Sequence, residues 1–129
     1  MATFKNFEEI VAWQKARELC KKIKKLTEKP EFTRDYKLKD QILSSSGSIM
    51  DNLAEGFERQ GNKEFVQFLY ISKGSCGETR SQLYRASDYG YITPEEFNDI
   101  FFDTLEVSRI LNGLINSIHD SDLKGYKYK

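Results

Sequence analysis

The sequence contains one histidine, His119, two cysteines and two prolines among its 129 residues. Zinc centres and histidine-based catalysis draw on histidines or on clustered cysteines, so one histidine and two distant cysteines exclude most of them. We therefore predict no catalytic residues, no metal site and no cofactor. Cys20 and Cys76 are expected to be small buried residues with free thiols. The scarcity of proline favours long helices.

Neither sign of charge is in excess, since 20 lysines and arginines balance 20 aspartates and glutamates. A neutral chain is not typical of a dedicated nucleic-acid binder, although a local basic patch can still bind phosphate. No apolar run reaches the roughly 18 residues of a transmembrane helix, and the N-terminus lacks the apolar stretch of a signal peptide. Together with free thiols, these absences predict a cytoplasmic protein that spans no membrane.

What the sequence does contain is the apolar spacing of amphipathic helices, in four successive stretches. Caps and helix breakers predict their limits at about 8 to 27–29, 36 to 55, 62 to 89, and 94 onward. The expected caps and stops are, in chain order, Asn6, Gly56, Asn62, Gly90, and Thr93 with Glu96 as its capping-box partner. Such helices with short connections predict an all-α, up-down-up-down antiparallel four-helix bundle over residues 1–119. Residues 120–129 have no apolar period and are expected to form a flexible polar tail.

The second and third helices each contain a cluster of small residues, at 44–48 and at 74–77. The two clusters are about equally far from the turn between the helices, so antiparallel pairing brings them to one level. Small side chains there predict a close approach of the two helices, whose added contacts offset the cost of mid-helix glycine. The alternative is a ligand channel left open by the missing side chains.

Several apolar residues lie off the predicted core faces, at the start of the first helix, on a second side of the second helix and on the fourth helix. Monomers rarely expose large contiguous apolar patches, so we predict a homo-oligomer. The predicted oligomer interface consists of Phe7, Ile10, Val11, Leu43, Met50, Phe102 and Leu105.

Basic and acidic residues are segregated along the chain. Residues 15–29 are rich in lysine, whereas residues 88–106 include acids but no lysine or arginine, and in an up-down bundle both regions lie near the same pole. Three interpretations stay open: solvated charges complemented by nearby acids, a head-to-tail contact between subunits, and phosphate binding. For phosphate binding, the predicted nucleic-acid-binding residues are Lys15, Lys21, Lys22, Lys24, Lys25 and Lys29.

Four polar residues near the turn between the second and third helices are candidates for a special role: Asn52, Glu55, Arg59 and Glu78. Asn52 falls on the core stripe and needs a hydrogen-bond partner if buried. Arg59 can reach a carboxylate such as Glu55 or Glu78. We predict a structural brace at this turn, and the alternative is a functional pocket.

The most specific motif in the chain is Ser48-Ile49-x-x-Asn52-Leu53-Ala54-Glu55-Gly56-x-x-Arg59, followed by Phe65-x-x-Phe68-Leu69 and Gly74-Ser75-x-x-Glu78. With the spacing of Trp13, Ala16 and Leu19 before it, this pattern resembles the four-helix-bundle family encoded in intervening sequences of bacterial 23S ribosomal RNA genes, often labelled a ribosomal protein. The resemblance implies a bacterial, cytoplasmic, ring-like homopentamer without established enzymatic activity. A similar family, the accessory protein of diversity-generating retroelements, is a pentameric bundle that engages a reverse transcriptase and nucleic acid.

These observations lead to a functional hypothesis. The chain is expected to be a non-enzymatic, homo-oligomeric scaffold that binds a macromolecular partner, with RNA as the leading candidate and the lysine patch as its contact. The alternative is a protein-only adaptor whose ring presents a surface to another protein. A third class, a small-molecule enzyme, would use a pocket near Arg59 and Glu78.

Overall fold

The computed structural model of the chain describes the backbone of residues 4–128 and the side chains of residues 4–121. Within this range every regular element is helical, which confirms the predicted all-α class. A 3₁₀ turn at Phe7–Glu9 precedes five α-helices: α1 Val11–Thr27, α2 Pro30–Arg34, α3 Tyr36–Glu58, α4 Asn62–Asp88 and α5 Pro94–Tyr128. The predicted polar tail, residues 120–129, lies almost wholly outside the described side chains and stays a prediction.

The four long helices form an antiparallel bundle in which each helix packs against two neighbours. α3 packs against α1 and α4, and α5 packs against the same two helices, so α3 and α5 occupy diagonal corners. The predicted apolar faces meet in one core. Its buried members include Ala12, Ala16, Leu19, Ile23 and Leu26 from α1, Leu38, Ile42, Ile49 and Leu53 from α3, Leu69, Cys76, Leu83 and Ala86 from α4, and Ile100, Val107, Leu111, Ile115 and Ile118 from α5.

The chain enters the bundle differently from the prediction, because the 3₁₀ turn separates Asn6 from α1. The backbone N–H of Asn6 donates to Glu9 Oε2 at 2.9 Å, so the predicted cap residue Asn6 caps this turn and not α1. Ile10 follows in an extended conformation and is only 2% exposed. Its place in the predicted oligomer interface is therefore wrong, since the side chain belongs to the core of the protomer.

The short helix α2 is a feature that periodicity did not predict. It begins at Pro30, which is suited to the first helical position because its missing N–H needs no partner there. Phe32 is fully buried, and its ring lies 5.4 Å from the ring of Tyr91 between centroids. The segment between α1 and α3 thus closes one pole of the bundle.

Gly56 does not cap the second long helix, because α3 continues to Glu58. A Cβ atom at Gly56 would lie 2.4 Å from Cβ of Phe68, so α3 and α4 can approach this closely only with glycine at that position. The left-handed residue of the following turn is Gln60, with φ of 66°. α4 then starts at Asn62 itself, with Gly61 as the N-cap, which corrects the predicted role of Asn62.

The turn between α4 and α5 confirms the predicted end of one helix and the predicted start of the next. Gly90 has φ of +77°, the left-handed conformation that ends a helix at low cost for glycine. The backbone N–H of Glu96 donates to Thr93 Oγ1 at 3.1 Å, and the N–H of Thr93 donates to Glu96 Oε1 at 2.8 Å. This reciprocal pair of hydrogen bonds is a complete capping box at the start of α5.

The predicted small-residue clusters of α3 and α4 do meet at one level, but hydroxyl groups make the contact. Ser45 Oγ lies 2.8 Å from Thr79 Oγ1 and donates to Gln82 Oε1 at 2.6 Å. Ser75 Oγ donates to Ser48 Oγ at 3.0 Å. These hydrogen bonds occupy the space between the helices and satisfy buried polar groups.

The mid-helix glycines face outward and do not form the close approach that we predicted for them. A Cβ atom added at Gly47 or Gly74 would have no contacting atom within 4 Å, and one at Gly77 would touch only Arg80 Nη2 at 3.9 Å. The close approach depends on Gly56 instead.

Replacing Gly56 by alanine is expected to lower the free energy of unfolding by about 1–3 kcal/mol, the usual cost of overpacking, because the methyl group collides with Phe68. The matched control is Gly74→Ala, which meets no atom and is expected to raise that free energy by up to about 1 kcal/mol through helix propensity. Urea denaturation of both variants measures the difference. Equal stability of the two variants would contradict the proposed packing role of Gly56.

Candidate interaction surfaces

The clearest electrostatic feature is an ion-pair ladder between α1 and α5. Its three lysines are spaced seven residues apart, two on α1 and one just beyond the end of that helix, and they face acids of α5. The pairs are Lys15 with Glu106 at 3.5 Å, Lys22 with Asp99 at 3.1 Å and with Asp103 at 2.7 Å, and Lys29 with Glu96 at 2.5 Å. Three lysines of the basic region and four acids of the acidic region therefore pair within one protomer.

The ladder changes the protonation equilibria of its members. The hydrogen bond from Lys29 lowers the pKa of Glu96, and the backbone N–H of Thr93 lowers it further. The hydrogen bond to Asp103 raises the pKa of Lys22. Both shifts favour the charged forms. Because these side chains are partly exposed, each pair contributes little to stability.

Four of the six predicted lysines thus have an acidic partner, since Lys21 also pairs with Glu18 at 3.2 Å, one turn earlier on α1. Lys24 and Lys25 form no ion pair with any residue that the structure describes. Arg17, on the same helix, lies over the ring of Trp13, with 5.7 Å between its guanidinium carbon and the ring centroid. The cationic surface available to a phosphate is therefore much smaller than the predicted patch.

The predicted polar brace divides into two separate contacts. Arg59 Nη2 pairs with Glu55 Oε2 at 2.8 Å and its guanidinium lies over the Phe68 ring, 5.1 Å from the centroid, so it ties the end of α3 to α4. Asn52 donates to the backbone oxygen of Ser48 at 2.9 Å, within α3. Glu78 is exposed and lies beside a shallow polar depression on α3 and α4, away from Arg59.

An exposed aromatic cluster lies on the seam between α4 and α5. The rings of Tyr84, Phe97 and Phe101 contact one another with centroid distances of 5.0–5.9 Å, and Phe102 contacts Phe101 at 5.7 Å. Tyr84 is 49% exposed and Phe102 63% exposed. Periodicity identified Phe102 as an off-core residue but assigned Phe97 and Phe101 to the core, and it gave no signal for Tyr84.

The other members of the predicted oligomer interface differ in exposure. Val11 is 50% exposed, whereas Phe7, Leu43 and Met50 are half-buried and pack against the core. Leu105 is also half-buried. Of the predicted set, Val11 and Phe102 are the residues that leave large apolar surface uncovered.

Both cysteines have free thiols. Burial raises the pKa of the Cys76 thiol to about 11 and also raises that of Cys20, so neither thiol is activated. Among residues 4–121, no group of three or more histidine, cysteine, aspartate or glutamate side chains could hold a metal ion. No described helix has the length and apolarity needed to cross a membrane.

Comparison with known proteins gives a family match and matches to solved structures. A family model described as 23S rRNA-intervening sequence protein matches residues 8–113. A solved structure with the same fold is that of a protein of unknown function from the S23 ribosomal protein family of Bacteroides thetaiotaomicron. The two chains share 26% sequence identity with a TM-score of 0.74, over 81% of this chain and 97% of the other. No curated protein matches the sequence.

The lowered pKa of Glu96 predicts an acid-sensitive contribution to stability. Because folding favours its carboxylate form, this contribution is present above the ordinary pKa of a glutamate, about 4.3, and is lost as the pH falls through the lower pKa of the folded state. Glu96→Gln is therefore expected to reduce the loss of unfolding free energy that accompanies a fall in pH through this range. The control is Glu95→Gln. Glu95 forms no ion pair with any described residue, so this variant is expected to keep the wild-type dependence of unfolding free energy on pH.

Chemical denaturation at a series of pH values measures the free energy of unfolding of the wild type and both variants. The same acid dependence for the wild type and the Glu96 variant would contradict the assigned role of this carboxylate.

Proposed function

The chain belongs to the 23S rRNA-intervening sequence protein family, and on that premise we propose that it is a non-enzymatic scaffold of identical subunits, assembled as a pentamer. The observation that carries this proposal is the aromatic cluster of Tyr84, Phe97, Phe101 and Phe102. A contiguous group of four partly exposed rings is larger than the isolated apolar residues of an ordinary monomer surface. Burial of such rings against a sister copy would remove their apolar surface from water.

The proposed role needs no catalytic site in the protein. Where the structure describes the side chains, the carboxylates near Arg59 are tied into ion pairs or exposed on the surface, and neither thiol has a lowered pKa. The helices instead provide a rigid surface. A scaffold in the cytoplasm is the role that this arrangement supports best.

Light scattering at micromolar concentration is expected to give a molar mass several times the 15.0 kDa of one chain, and five times that mass for a pentamer. Phe102→Ser is expected to lower the molar mass, because it removes the most exposed ring of the cluster. The matched control is Tyr70→Ser, on the outward side of α4 and 53% exposed, which is expected to keep the wild-type mass. A monomeric wild type would refute the proposal.

Binding of RNA by the assembled scaffold is a second candidate function, which rests on Lys24 and Lys25. Their ammonium groups have no acidic partner among the described residues, unlike the other four lysines of the patch. Each subunit would present this pair, so an oligomer would repeat it and gain affinity through multivalency.

Fluorescence anisotropy with a structured RNA at two salt concentrations tests this function. Binding is expected to weaken with salt, and the variant with both Lys24→Glu and Lys25→Glu is expected to reduce the slope of log affinity against log salt by about 2 per subunit in contact. The matched control is Lys22→Gln, which removes an already neutralised charge and is expected to keep the slope. Absence of any salt-dependent binding would leave the protein-only adaptor as the function of the scaffold.

A further inference from the structure

A cavity of about 350 Å³ lies where the N-terminal segment meets the turn between α3 and α4. Its walls include three phenylalanine rings: Phe4 from the segment before the 3₁₀ turn, Phe57 from the end of α3 and Phe65 from the start of α4. The rings of Phe57 and Phe65 meet edge to face, with 5.8 Å between their centroids. A volume of this size with a mostly apolar lining is typical of small-molecule sites.

The backbone on both sides of the cavity is held in place. The backbone N–H groups of Lys5 and Asn6 donate to Glu9 Oε2 at 3.1 and 2.9 Å, which fixes the segment that carries Phe4. On the opposite side, Phe65 is only 5% exposed and belongs to the core of the bundle. The walls of the cavity are therefore formed before a ligand enters it.

Two side chains of opposite charge line the cavity, Lys5 and Glu58. Both are exposed, and neither forms an ion pair with any residue that the structure describes. A cavity that joins apolar walls to one cation and one anion offers a partner to each part of a molecule that is apolar at one end and carries both charges at the other.

The other charged groups around this turn do not alter that balance. Arg59 pairs with Glu55 at 2.8 Å. The carboxylate of Glu64 lies against Gly61 at the first turn of α4, where the positive end of the helix dipole stabilises it. Lys63 is exposed on the same turn and is not one of the residues that line the cavity.

The backbone of the turn has an unfavourable conformation at the edge of the cavity. Gln60 has φ of 66°, a conformation that glutamine rarely adopts and that glycine adopts at lower cost. Its side chain lines the cavity, and an amide can both donate and accept hydrogen bonds. Residues in such conformations are concentrated at sites that bind ligands. A ligand contact through this amide accounts for glutamine at a position that suits glycine better.

We propose that this cavity binds a small zwitterion with an apolar body, which is the chemistry of a free amino acid with a large apolar side chain. The ammonium group of such a molecule pairs with the carboxylate of Glu58, and its carboxylate pairs with the ammonium group of Lys5. Its side chain packs against the phenylalanine rings and leaves water. A ligand with only one charge would leave either Lys5 or Glu58 unmatched and facing a like charge.

The site does not depend on the proposed assembly. All of its lining residues belong to one protomer, and they lie at the opposite end of α4 from Tyr84 and the aromatic cluster. Failure of this inference would therefore leave the scaffold function intact, and a monomeric wild type would leave this inference intact.

Titration calorimetry of the wild-type chain at neutral pH tests the ligand class. L-phenylalanine is expected to bind with a dissociation constant of about 1 mM or lower. Phenethylamine, which lacks the carboxylate, and phenylpropionate, which lacks the ammonium group, are each expected to bind about fivefold more weakly. Absence of binding by L-phenylalanine at concentrations well above this value, or equal affinity for all three compounds, would overturn the proposal.

Two variants assign the charges of the site. Lys5→Gln is expected to weaken L-phenylalanine and phenylpropionate about fivefold without weakening phenethylamine, and Glu58→Gln is expected to weaken L-phenylalanine and phenethylamine without weakening phenylpropionate. The matched control is Lys63→Gln, which is expected to leave all three affinities unchanged. Affinities for L-phenylalanine that are the same in the wild type and in both cavity variants would place binding elsewhere and overturn the site.

Gln60→Gly separates a ligand contact from a structural role. The urea midpoint is expected not to fall, because glycine adopts a positive φ at low cost, while the affinity for L-phenylalanine is expected to fall. A variant that is as stable as the wild type but binds less cannot be explained by misfolding. Unchanged affinity would contradict the ligand contact assigned to the Gln60 amide.

Discussion

Three lysines spaced seven residues apart, two on the first long helix and one just beyond its end, face four acids on the last, and this ion-pair ladder determines which surfaces the protein can offer to a partner. Exposed ion pairs add little stability individually, so their main effect here is to neutralise charge. Without the ladder, the lysine-rich α1 would be a phosphate-binding surface and the acidic start of α5 its natural counterpart on another subunit. With it, Lys24 and Lys25 are the two lysines of the predicted patch that have no acidic partner among the described residues.

A rigid pair of helices carries one of these surfaces. α3 and α4 are joined by hydrogen bonds between serine, threonine and glutamine side chains at mid-length, and by the close approach at Gly56 near their shared turn. Because buried hydroxyls lose their partners if the helices slide, these contacts hold the helices in one register. The outward sides of α3 and α4 are therefore held in a defined position relative to each other.

The sequence predicts the fold well where local chemistry decides it. Apolar spacing identified the buried faces, and Thr93, Glu96 and Gly90 formed the predicted helix start and stop, because caps depend on residues within one turn. Gly56 was misassigned because its reason lies in Phe68 of another helix. The burial of Phe32 and Ile10 and the exposure of Tyr84 were missed for a related reason: periodicity tells which side of a helix is apolar but not how neighbouring elements cover it. For the candidate surfaces, the sequence predicted that the charged regions lie close together, while their pairing within one protomer required the packing of α1 against α5.

The most direct test of the ladder is covalent capture of one of its pairs. A chain with both Lys22→Cys and Asp103→Cys places two thiols where one lysine of the ladder meets its acid, within one protomer. A short bifunctional thiol reagent should join these thiols within one chain, which then runs at the single-chain mass of 15.0 kDa on a denaturing gel. Covalent dimers and higher multiples as the main products would contradict the account, because they would place the contact of the two charged regions between subunits.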